Sequence, residues 1–296
     1  MKIVIFGFGH AGQAYSNAIK NLNLENLLTV VDTDPQVSEL IPFNAVFFDH
    51  VPEQKFDLAI ISTPPKSHLD LYQQVANCTN RIILEKPFAL SPSEIKKIFN
   101  IAKNGDLFFS IHAGYGKEVD LAIAKLKNKQ SKYPQQITQL FCDPYSPNGP
   151  QNLGGAFWDS IFNALCIINK LWDDVTLRNI KIKTNQPELF ELECLLETGL
   201  GNLIYSLSFD WQKRINLKFT EISTFDRNDG ILINHSQQCV SDISGQNLAV
   251  KPLDQPRLSS HYADVIIDCL QNKNFKKNNQ FSLKISQQVI QIYNSF

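Results

Sequence analysis

Residues 2–12 read Lys2-Ile3-Val4-Ile5-Phe6-Gly7-Phe8-Gly9-His10-Ala11-Gly12. KIVIFG is a continuous apolar run, too short for a helix and ended by glycine, as a parallel strand buried on both faces reads. Glycines arrive by position 7 and no small-residue cleavage site follows, so a strand explains the segment better than a signal peptide does. A helical stretch is expected from about Ala11 to Leu22. The GxGxxG thus falls between a strand and a helix. Its first glycine permits the tight turn, the second lets backbone approach a pyrophosphate, and the third allows close helix–strand packing. The helix N-terminus adds hydrogen-bond donors and the positive end of a dipole.

Outward from this element, short apolar runs alternate with helix-like segments. LLTVVD, AVFF, DLAIIST, RIILEK and LFFSIH read as strands, and Lys66–Asn77 and Ser91–Asn104 as helices. The second helix opens with Ser91-Pro92-Ser93-Glu94, a cap residue followed by proline at the first helical position. Such alternation predicts a doubly wound parallel sheet of Rossmann type over residues 1–112. Asp32 stands 20 residues after Gly12, at the end of the second strand. A carboxylate there accepts both ribose hydroxyls and repels a 2′-phosphate, and VVDTDPQ holds no arginine to bind one. NAD is therefore the expected cofactor, with NADP less favoured. Two more loops face the same edge of the sheet: Ser62-Thr63-Pro64-Pro65-Lys66-Ser67-His68 and Leu84-Glu85-Lys86-Pro87. A lysine directly after a buried strand at that edge usually faces the ligand crevice, although a surface lysine before a turn reads the same way.

After His112 the rhythm changes, and residues 113–296 are expected to form a second, α/β domain. A helix near Val119–Lys127 and a strand at Gln136–Phe141 lead into the irregular segment CDPYSPNGPQNLGG and a helix from Ala156 to about Leu171. TLRNIKIKT, ELFELECLLE, LGNLIYSLSFDW, NLKFTEISTF and GILINH then read as strands of an open antiparallel meander. Helices near Arg257–Leu270 and Leu283–Tyr293 close the chain. An uncovered sheet face points to a homo-oligomer.

Composition narrows the partners. The 296 residues carry a formal net charge of -1, with 43% hydrophobic and 19% charged residues. That balance gives no electrostatic footprint for nucleic acid or an anionic membrane. No apolar stretch reaches about 18 residues, the length a transmembrane helix needs, and a cytoplasmic protein is expected. The six cysteines lack a CxxC pair and read as small core residues in a reducing compartment. The histidines at 10, 50, 68, 112, 235 and 261 show no metal-site spacing, and there is no GxSxG nucleophile elbow.

GFGHAG, VVDTDP, STPPKSH and LEKP, in that order and spacing, resemble the Gfo/Idh/MocA family of glucose–fructose oxidoreductase and inositol dehydrogenase relatives. The resemblance is close over the N-terminal half and looser beyond it. It implies a Rossmann domain followed by an α/β domain whose open, mostly antiparallel sheet forms oligomer contacts. The cofactor-binding residues would be Gly7, Phe8, Gly9, His10, Ala11, Gly12, Asp32, Ser62, Thr63, Pro64, His68, Glu85 and Lys86. In that family the helix after a glycine pair carries an aspartate and, four residues on, a histidine. Here these positions hold Asp159 and Asn163, a departure that weakens any reading needing an imidazole base. The D-x-x-x-N-A-L pattern, Asp210-Trp211-Gln212 and the late HYADVI resemble the aldose 1-dehydrogenase branch. Its L-arabinose and D-galactose dehydrogenases oxidise an anomeric hydroxyl to a lactone, and His112 matches a position facing the sugar there.

Residues 159 and 163 are neighbours on one helix face. Oxidising a C–OH carbon requires loss of the hydroxyl proton as hydride departs. Asp159 is the candidate base, Asn163 would hold the anomeric hydroxyl or ring oxygen, and Lys86 would supply positive charge. The expected substrate contacts are Lys86, His112, Asp159, Asn163 and Trp211. Simpler roles fit the same residues: a helix cap for Asp159, a buried amide for Asn163, a polar strand end for His112, core packing for Trp211, and a cap for His68. Two rival functions remain open. One is a dehydrogenase or reductase of another sugar, inositol or cyclic substrate; the other is a catalytically silent, NAD-binding regulator.

Overall fold

The computed structural model describes residues 1–24, 28–42, 44–79, 81–102, 107–128, 134–143, 153–199, 201–225, 229–250, 256–271 and 275–296. The chain divides into two compact units, Met1–His112 with Gln255–Lys284, and Ala113–Asp254 with Ile285–Phe296. The division is therefore not linear in sequence.

The first unit is built on a parallel sheet of β1 (Ile3–Phe6), β2 (Leu28–Val31), β3 (Val46–Phe48), β4 (Leu58–Ile61), β5 (Ile82–Glu85) and β6 (Leu107–Ser110). Their order is β3-β2-β1-β4-β5-β6. All pairings are parallel. Five of the six strands are buried at every residue, the expected outcome when crossover helices cover both faces of a sheet. The crossovers include α1 (His10–Asn21), α2 (His68–Val75) and α3 (Pro92–Ile101). α3 starts as its sequence dictates: Ser91 Oγ accepts from Glu94 N–H at 3.3 Å and donates to Glu94 Oε2 at 2.9 Å. These bonds satisfy a backbone donor that a bare helix start leaves open. α2 begins two residues later than predicted, because Pro65–Ser67 form a single 3-10 turn ahead of it. The edge strand β6 is closed off by Asn278, whose amide accepts from Phe109 N–H and donates to Phe109 C=O, both at 2.9 Å. An amide bonding both ways in this manner removes part of an exposed edge. The helix α6 (Arg257–Leu270) also belongs to this unit.

The second unit carries α4 (Lys117–Asn128), β7 (Gln136–Cys142), α5 (Ala156–Leu171), β8 (Thr176–Gln186), β9 (Leu189–Thr198), β10 (Gly201–Asp210), β11 (Leu217–Ser223), β12 (Gly230–Asn234), β13 (Cys239–Asp242) and β14 (Asn247–Val250). The sheet order is β14-β13-β12-β11-β7-β10-β9-β8. The expected meander is corrected in one respect. β7 lies between β10 and β11, parallel to the first and antiparallel to the second, so two meanders are joined by a central strand from earlier in the chain. Alternation along a strand reports which face is buried and says nothing of which strand lies beside it. β13 and β14 were not predicted; at four residues each they are too short for their period to stand out. The last helix, α7 (Phe275–Tyr293), contributes Ile285, Val289 and Ile292 to this unit's core. Gln288 there bonds Asn169 of α5 at 2.7 Å.

A buried polar chain crosses three adjacent strands of this sheet, β10, β7 and β11, and runs on through His235, just past β12, to Glu118 of α4. Tyr205 donates to Gln139 Oε1 at 2.5 Å, and Gln139 Nε2 donates to Thr220 Oγ1 at 3.0 Å. Thr220 Oγ1 meets His235 Nε2 at 2.9 Å, and His235 Nδ1 meets Glu118 Oε1 at 2.9 Å. Every link has a donor and an acceptor when His235 carries its proton on Nδ1, so the belt can be buried without large cost.

All six cysteines are free. Burial pushes the thiols of Cys166, Cys194 and Cys269 up to about 12, which suppresses the thiolate that reacts. These three are expected to resist alkylation in the native protein and to react in urea, as mass spectrometry of labelled peptides would show. No described helix is long and apolar enough to cross a membrane.

Candidate functional site

β1 delivers the glycine loop to the carboxyl edge of the first sheet, where strand order reverses between β1 and β4. That reversal is where ligands enter folds of this type. Gly7 has φ 84°, and a Cβ there would meet Thr63 N and Cα at 2.8 Å. Gly7 N–H donates to Val31 C=O at 2.9 Å. A Cβ on Gly12 would lie 2.1 Å from Gly7 C=O, so this glycine lets α1 pack onto the turn. Gly9 differs: a Cβ there would meet nothing within 4 Å, and the residue is exposed at the cap of α1. Space beside bare backbone at a helix N-terminus is what a pyrophosphate requires. His10 and Ala11 open the helix, His10 exposed and Ala11 half-buried.

Asp32 ends β2 beside the loop. Its Oδ2 accepts from Phe8 N–H at 2.7 Å and its Oδ1 from Asp34 N–H at 3.0 Å. Each carboxylate oxygen has two lone pairs, so the residue fixes the glycine loop and still has capacity for ribose hydroxyls. The loop after β4 is tied to the same turn. Ser62 Oγ donates to Gly7 C=O at 2.8 Å, and Ser67 Oγ donates to Thr63 Oγ1 at 2.8 Å. Pro64 is exposed. His68 is buried, with Nε2 at 2.8 Å from Thr63 C=O and Nδ1 at 3.1 Å from Phe88 C=O. Burial pushes its imidazole down, against the pull of the two carbonyls, and the neutral ring donates its single N–H to one of them. The glycine loop, Asp32, Ser62 and Thr63 are thus brought together within one unit.

β5 ends at Glu85, and Lys86 follows, half-buried, before a cis peptide to Pro87. Glu85 points inward and is 4% exposed. Its Oε2 lies 3.0 Å from the hydroxyl of Tyr15 on α1, which in turn lies 2.7 Å from Ser110 Oγ on β6. Tyr262 of α6 stacks on Tyr15 with centroids 3.9 Å apart, and His112 meets Tyr262 edge-on at 5.5 Å. Burial pushes the Glu85 carboxyl up to about 7, against the Lys86 charge and the hydroxyls of Ser110, Tyr15 and Tyr262. A carboxyl that holds its proton longer when folded destabilises the fold as pH rises from its ordinary value of 4.5 to about 7. Stability is expected to fall by about 3 kcal/mol across that window, and Glu85→Gln to remove the slope in urea unfolding curves taken at each pH. Sequence reasoning placed Glu85 at the cofactor and missed Tyr15, Ser110 and Tyr262 around it. The signal available was the period of a strand, which turns Glu85 and Lys86 to opposite sides.

In the second unit, Gly154 and Gly155 have φ 77° and 95°, and a Cβ on Gly155 would stand 2.9 Å from Pro187 C=O. That bond-sized gap lets Ala156 N–H donate to the same carbonyl at 2.8 Å and start α5. From Ala156 to Asn169 every residue of α5 is buried except Asp159 and Asn163, which are half-buried. The helix therefore leaves one stripe open, and it carries a carboxylate and an amide. Asn163 Oδ1 is buried with no hydrogen-bond partner among the described residues, as is Trp211 Nε1. A polar atom buried without a partner costs free energy that a ligand can recover, with a donor for Asn163 Oδ1 and an acceptor for Trp211 Nε1. Trp211 itself is buried, just after Asp210, whose Oδ1 accepts from Gln212 N–H at 3.0 Å. Residues 144–152 of the irregular segment lie outside the described residues.

Comparison with known proteins fits this geometry. Residues 1–112 match a family model, Gfo/Idh/MocA, described as an oxidoreductase family with an NAD-binding Rossmann fold. An uncharacterized oxidoreductase of Schizosaccharomyces pombe is 29% identical over 73 residues, 25% of this chain and 20% of that protein. The alignment thus spans a fifth of the relative's length. A myo-inositol dehydrogenase from Corynebacterium glutamicum matches in structure with TM-score 0.70 at 14% identity, covering 100% of this chain and 96% of that one. Levoglucosan dehydrogenase in complex with NADH and levoglucosan matches with TM-score 0.73 at 15% identity, covering 99% and 96%. What is shared at these identities is the fold.

Proposed function

We propose that the chain is an NAD-dependent dehydrogenase of a small, sugar-like substrate, a reading supported by the match of residues 1–112 to the Gfo/Idh/MocA oxidoreductase family model with its NAD-binding Rossmann fold. The finer reading is oxidation of the anomeric C1 hydroxyl of a galactose- or arabinose-like aldose to its lactone. The observation that carries the nucleotide half is the Asp32 carboxylate bound to Phe8 N–H at 2.7 Å, beside an open Gly9. An anion fixed there favours NAD over NADP.

NAD, when bound, accepts the hydride. The chain's own residues handle the proton and the placement. Asp159 takes the proton of the reacting hydroxyl as its C–H bond breaks and the carbonyl forms. Asn163 orients the anomeric or ring oxygen with its amide, and Lys86 places positive charge beside the reacting oxygen. His112 and Trp211 are the remaining proposed sugar contacts. Support comes from the open stripe of α5, where Asp159 and Asn163 are the half-buried residues of an otherwise buried run, and from the neighbours named above, which act on inositol and levoglucosan. The exposed side of β8, where seven of eleven residues are exposed and one is buried, is proposed as a self-association surface, read out by light scattering.

The test is NADH formation from NAD with D-galactose, L-arabinose, D-glucose and myo-inositol. Turnover of galactose or arabinose with lactone release supports the finer reading. Turnover of myo-inositol alone replaces it with a polyol dehydrogenase. NAD binding with no turnover of any of them overturns the enzyme and leaves a silent NAD-binding protein, the reading that Asn163 in place of the family histidine keeps open.

A further inference from the structure

We propose that Asp143 and Lys218 form, with Trp211, a specificity-determining subsite that takes neighbouring hydroxyls of a neutral polyol and rejects a sugar acid. The inference rests on the dehydrogenase reading and deepens it by naming the substrate class. All of it lies within the second unit. Gln139 and Phe141 of β7 and Tyr205, Leu207 and Phe209 of β10 are buried on one face of the sheet. Gln139 Nε2 donates to Ala164 C=O at 3.4 Å, so this is the face that α5 covers. β10 runs parallel to β7 with Phe209 opposite Phe141. Two residues further on, the same alternation brings Trp211 and Asp143 to that face on neighbouring strands. β11 sets Lys218 opposite Phe141, hence on the same face. At this end of the sheet an aromatic row thus gives way to a polar one. α5 begins there: Ala156 N–H donates to Pro187 C=O at 2.8 Å, and Trp211 N–H to the next carbonyl, Glu188, at 2.9 Å.

Lys218 Nζ lies 2.6 Å from Asp143 Oδ1, with the two side chains only 19% and 22% exposed. The ion pair uses one carboxylate oxygen. The other, Oδ2, is buried with no hydrogen-bond partner among the described residues, and so is Nε1 of Trp211, a residue 4% exposed. One of these atoms only accepts and the other only donates. An ion pair kept for stability alone gains nothing from an unsatisfied oxygen, and apolar residues of similar volume serve as well or better. A hydroxyl matches both atoms, because it donates one hydrogen and accepts others. One hydroxyl, or two on neighbouring carbons, gives a hydrogen to Asp143 Oδ2 and takes one from Trp211. An anionic group fits badly. The Lys218 charge is already matched by Asp143, and a carboxylate brings only acceptors to an oxygen that needs a donor. Asn163 Oδ1 on α5, buried and also without a hydrogen-bond partner among the described residues, is a further acceptor for the same kind of ligand.

The experiment uses the full chain carrying 15N-labelled tryptophan, with NAD present. NMR follows the indole N–H resonances as D-galactose, myo-inositol or D-galacturonate is added. The Trp211 resonance, identified by its absence in Trp211→Phe, is expected to move and saturate with at least one of the two neutral polyols. D-galacturonate is expected to bind more weakly by about tenfold or more. Asp143→Leu combined with Lys218→Met replaces the ion pair by apolar side chains, and is expected to keep the Tm at or above the parent's. Its Kd for the polyol is expected to rise by about 10–100-fold, the usual loss for a hydrogen bond to a charged group. Asp143→Asn keeps the shape and puts a donor where Oδ2 accepts, so it is expected to weaken binding in the same range. With a sugar that is turned over, these variants raise KM and leave kcat nearly unchanged, unlike Asp159→Ala. A Trp211 resonance indifferent to both polyols, a polyol Kd unchanged in Asp143→Asn or in the double variant, or tighter binding of D-galacturonate would each overturn the proposal. Binding is read without turnover. Failure of every sugar to reduce NAD therefore counts against the dehydrogenase reading, and failure of the polyols to reach Trp211 counts against the subsite.

Discussion

Gly9→Ala is expected to leave the fold intact and to raise the Kd for NAD by about tenfold or more, while Gly12→Ala is expected to damage the fold itself. The two glycines stand three residues apart in one loop, yet their surroundings differ. A methyl on Gly9 meets nothing within 4 Å, and its φ of -66° is one that alanine adopts readily. The methyl takes only the space that a pyrophosphate would use to approach the backbone. A methyl on Gly12 stands 2.1 Å from Gly7 C=O and 3.1 Å from its carbon, both backbone atoms. Relief requires α1 to move off β1, and overpacking of that kind costs about 1–3 kcal/mol or more. Thermal unfolding with NAD titration separates the cases: an unchanged Tm with weakened binding for Gly9→Ala, and a Tm lower by several degrees for Gly12→Ala. A Gly9→Ala protein that binds NAD like its parent would remove the loop from the nucleotide site.

Asp159→Ala is expected to lower kcat by about 10²–10⁴, the usual contribution of a positioned acid or base. NAD affinity should be unaffected, because the residue belongs to the second unit's helix and not to the glycine loop. Lys86→Met is expected to lose a similar factor. If the two act on one oxygen as a unit, the double variant loses little more than either alone, since effects within a catalytic unit do not add. Single-turnover rates with saturating NAD check this directly. Activity of either variant equal to the parent would refute the assigned roles.

The first sheet was legible from sequence almost strand by strand. Parallel strands buried on both faces read as unbroken apolar runs, and Gly7, Pro92 and the Ser91–Glu94 box mark the turns and helix starts with residues that few other local structures favour. The second sheet was legible as strands and not as an order. Nothing in Gln136–Cys142 announces that it will lie between β10 and β11, because that pairing is decided by contacts with residues 204–209 and 217–223, far along the chain. The Glu118–His235 contact spans 117 positions and was invisible for the same reason. At the candidate site, the residue types and their spacing were readable; the direction of each side chain was not. Glu85 belongs to the quoted LEKP element, yet its partners Tyr15, Ser110 and Tyr262 come from three other elements, and only folding assembles them. His68 was read as a cofactor contact or a cap; that its ring nitrogens also lie 3.1 Å and 2.8 Å from the Phe88 and Thr63 carbonyls was not legible, because those partners are set by the fold.

Everything proposed about chemistry comes down to one oxygen atom of the substrate. A crystal structure of the protein with NAD and an aldose that it turns over, or a lactone product, measures the distances that matter. The account predicts Lys86 Nζ and an Asp159 carboxylate oxygen both within about 2.6–3.2 Å of the same hydroxyl, on the carbon that faces the nicotinamide. A sugar bound with those two groups on different oxygens, or with either turned away from it, would contradict the account and leave dinucleotide binding as the surviving property.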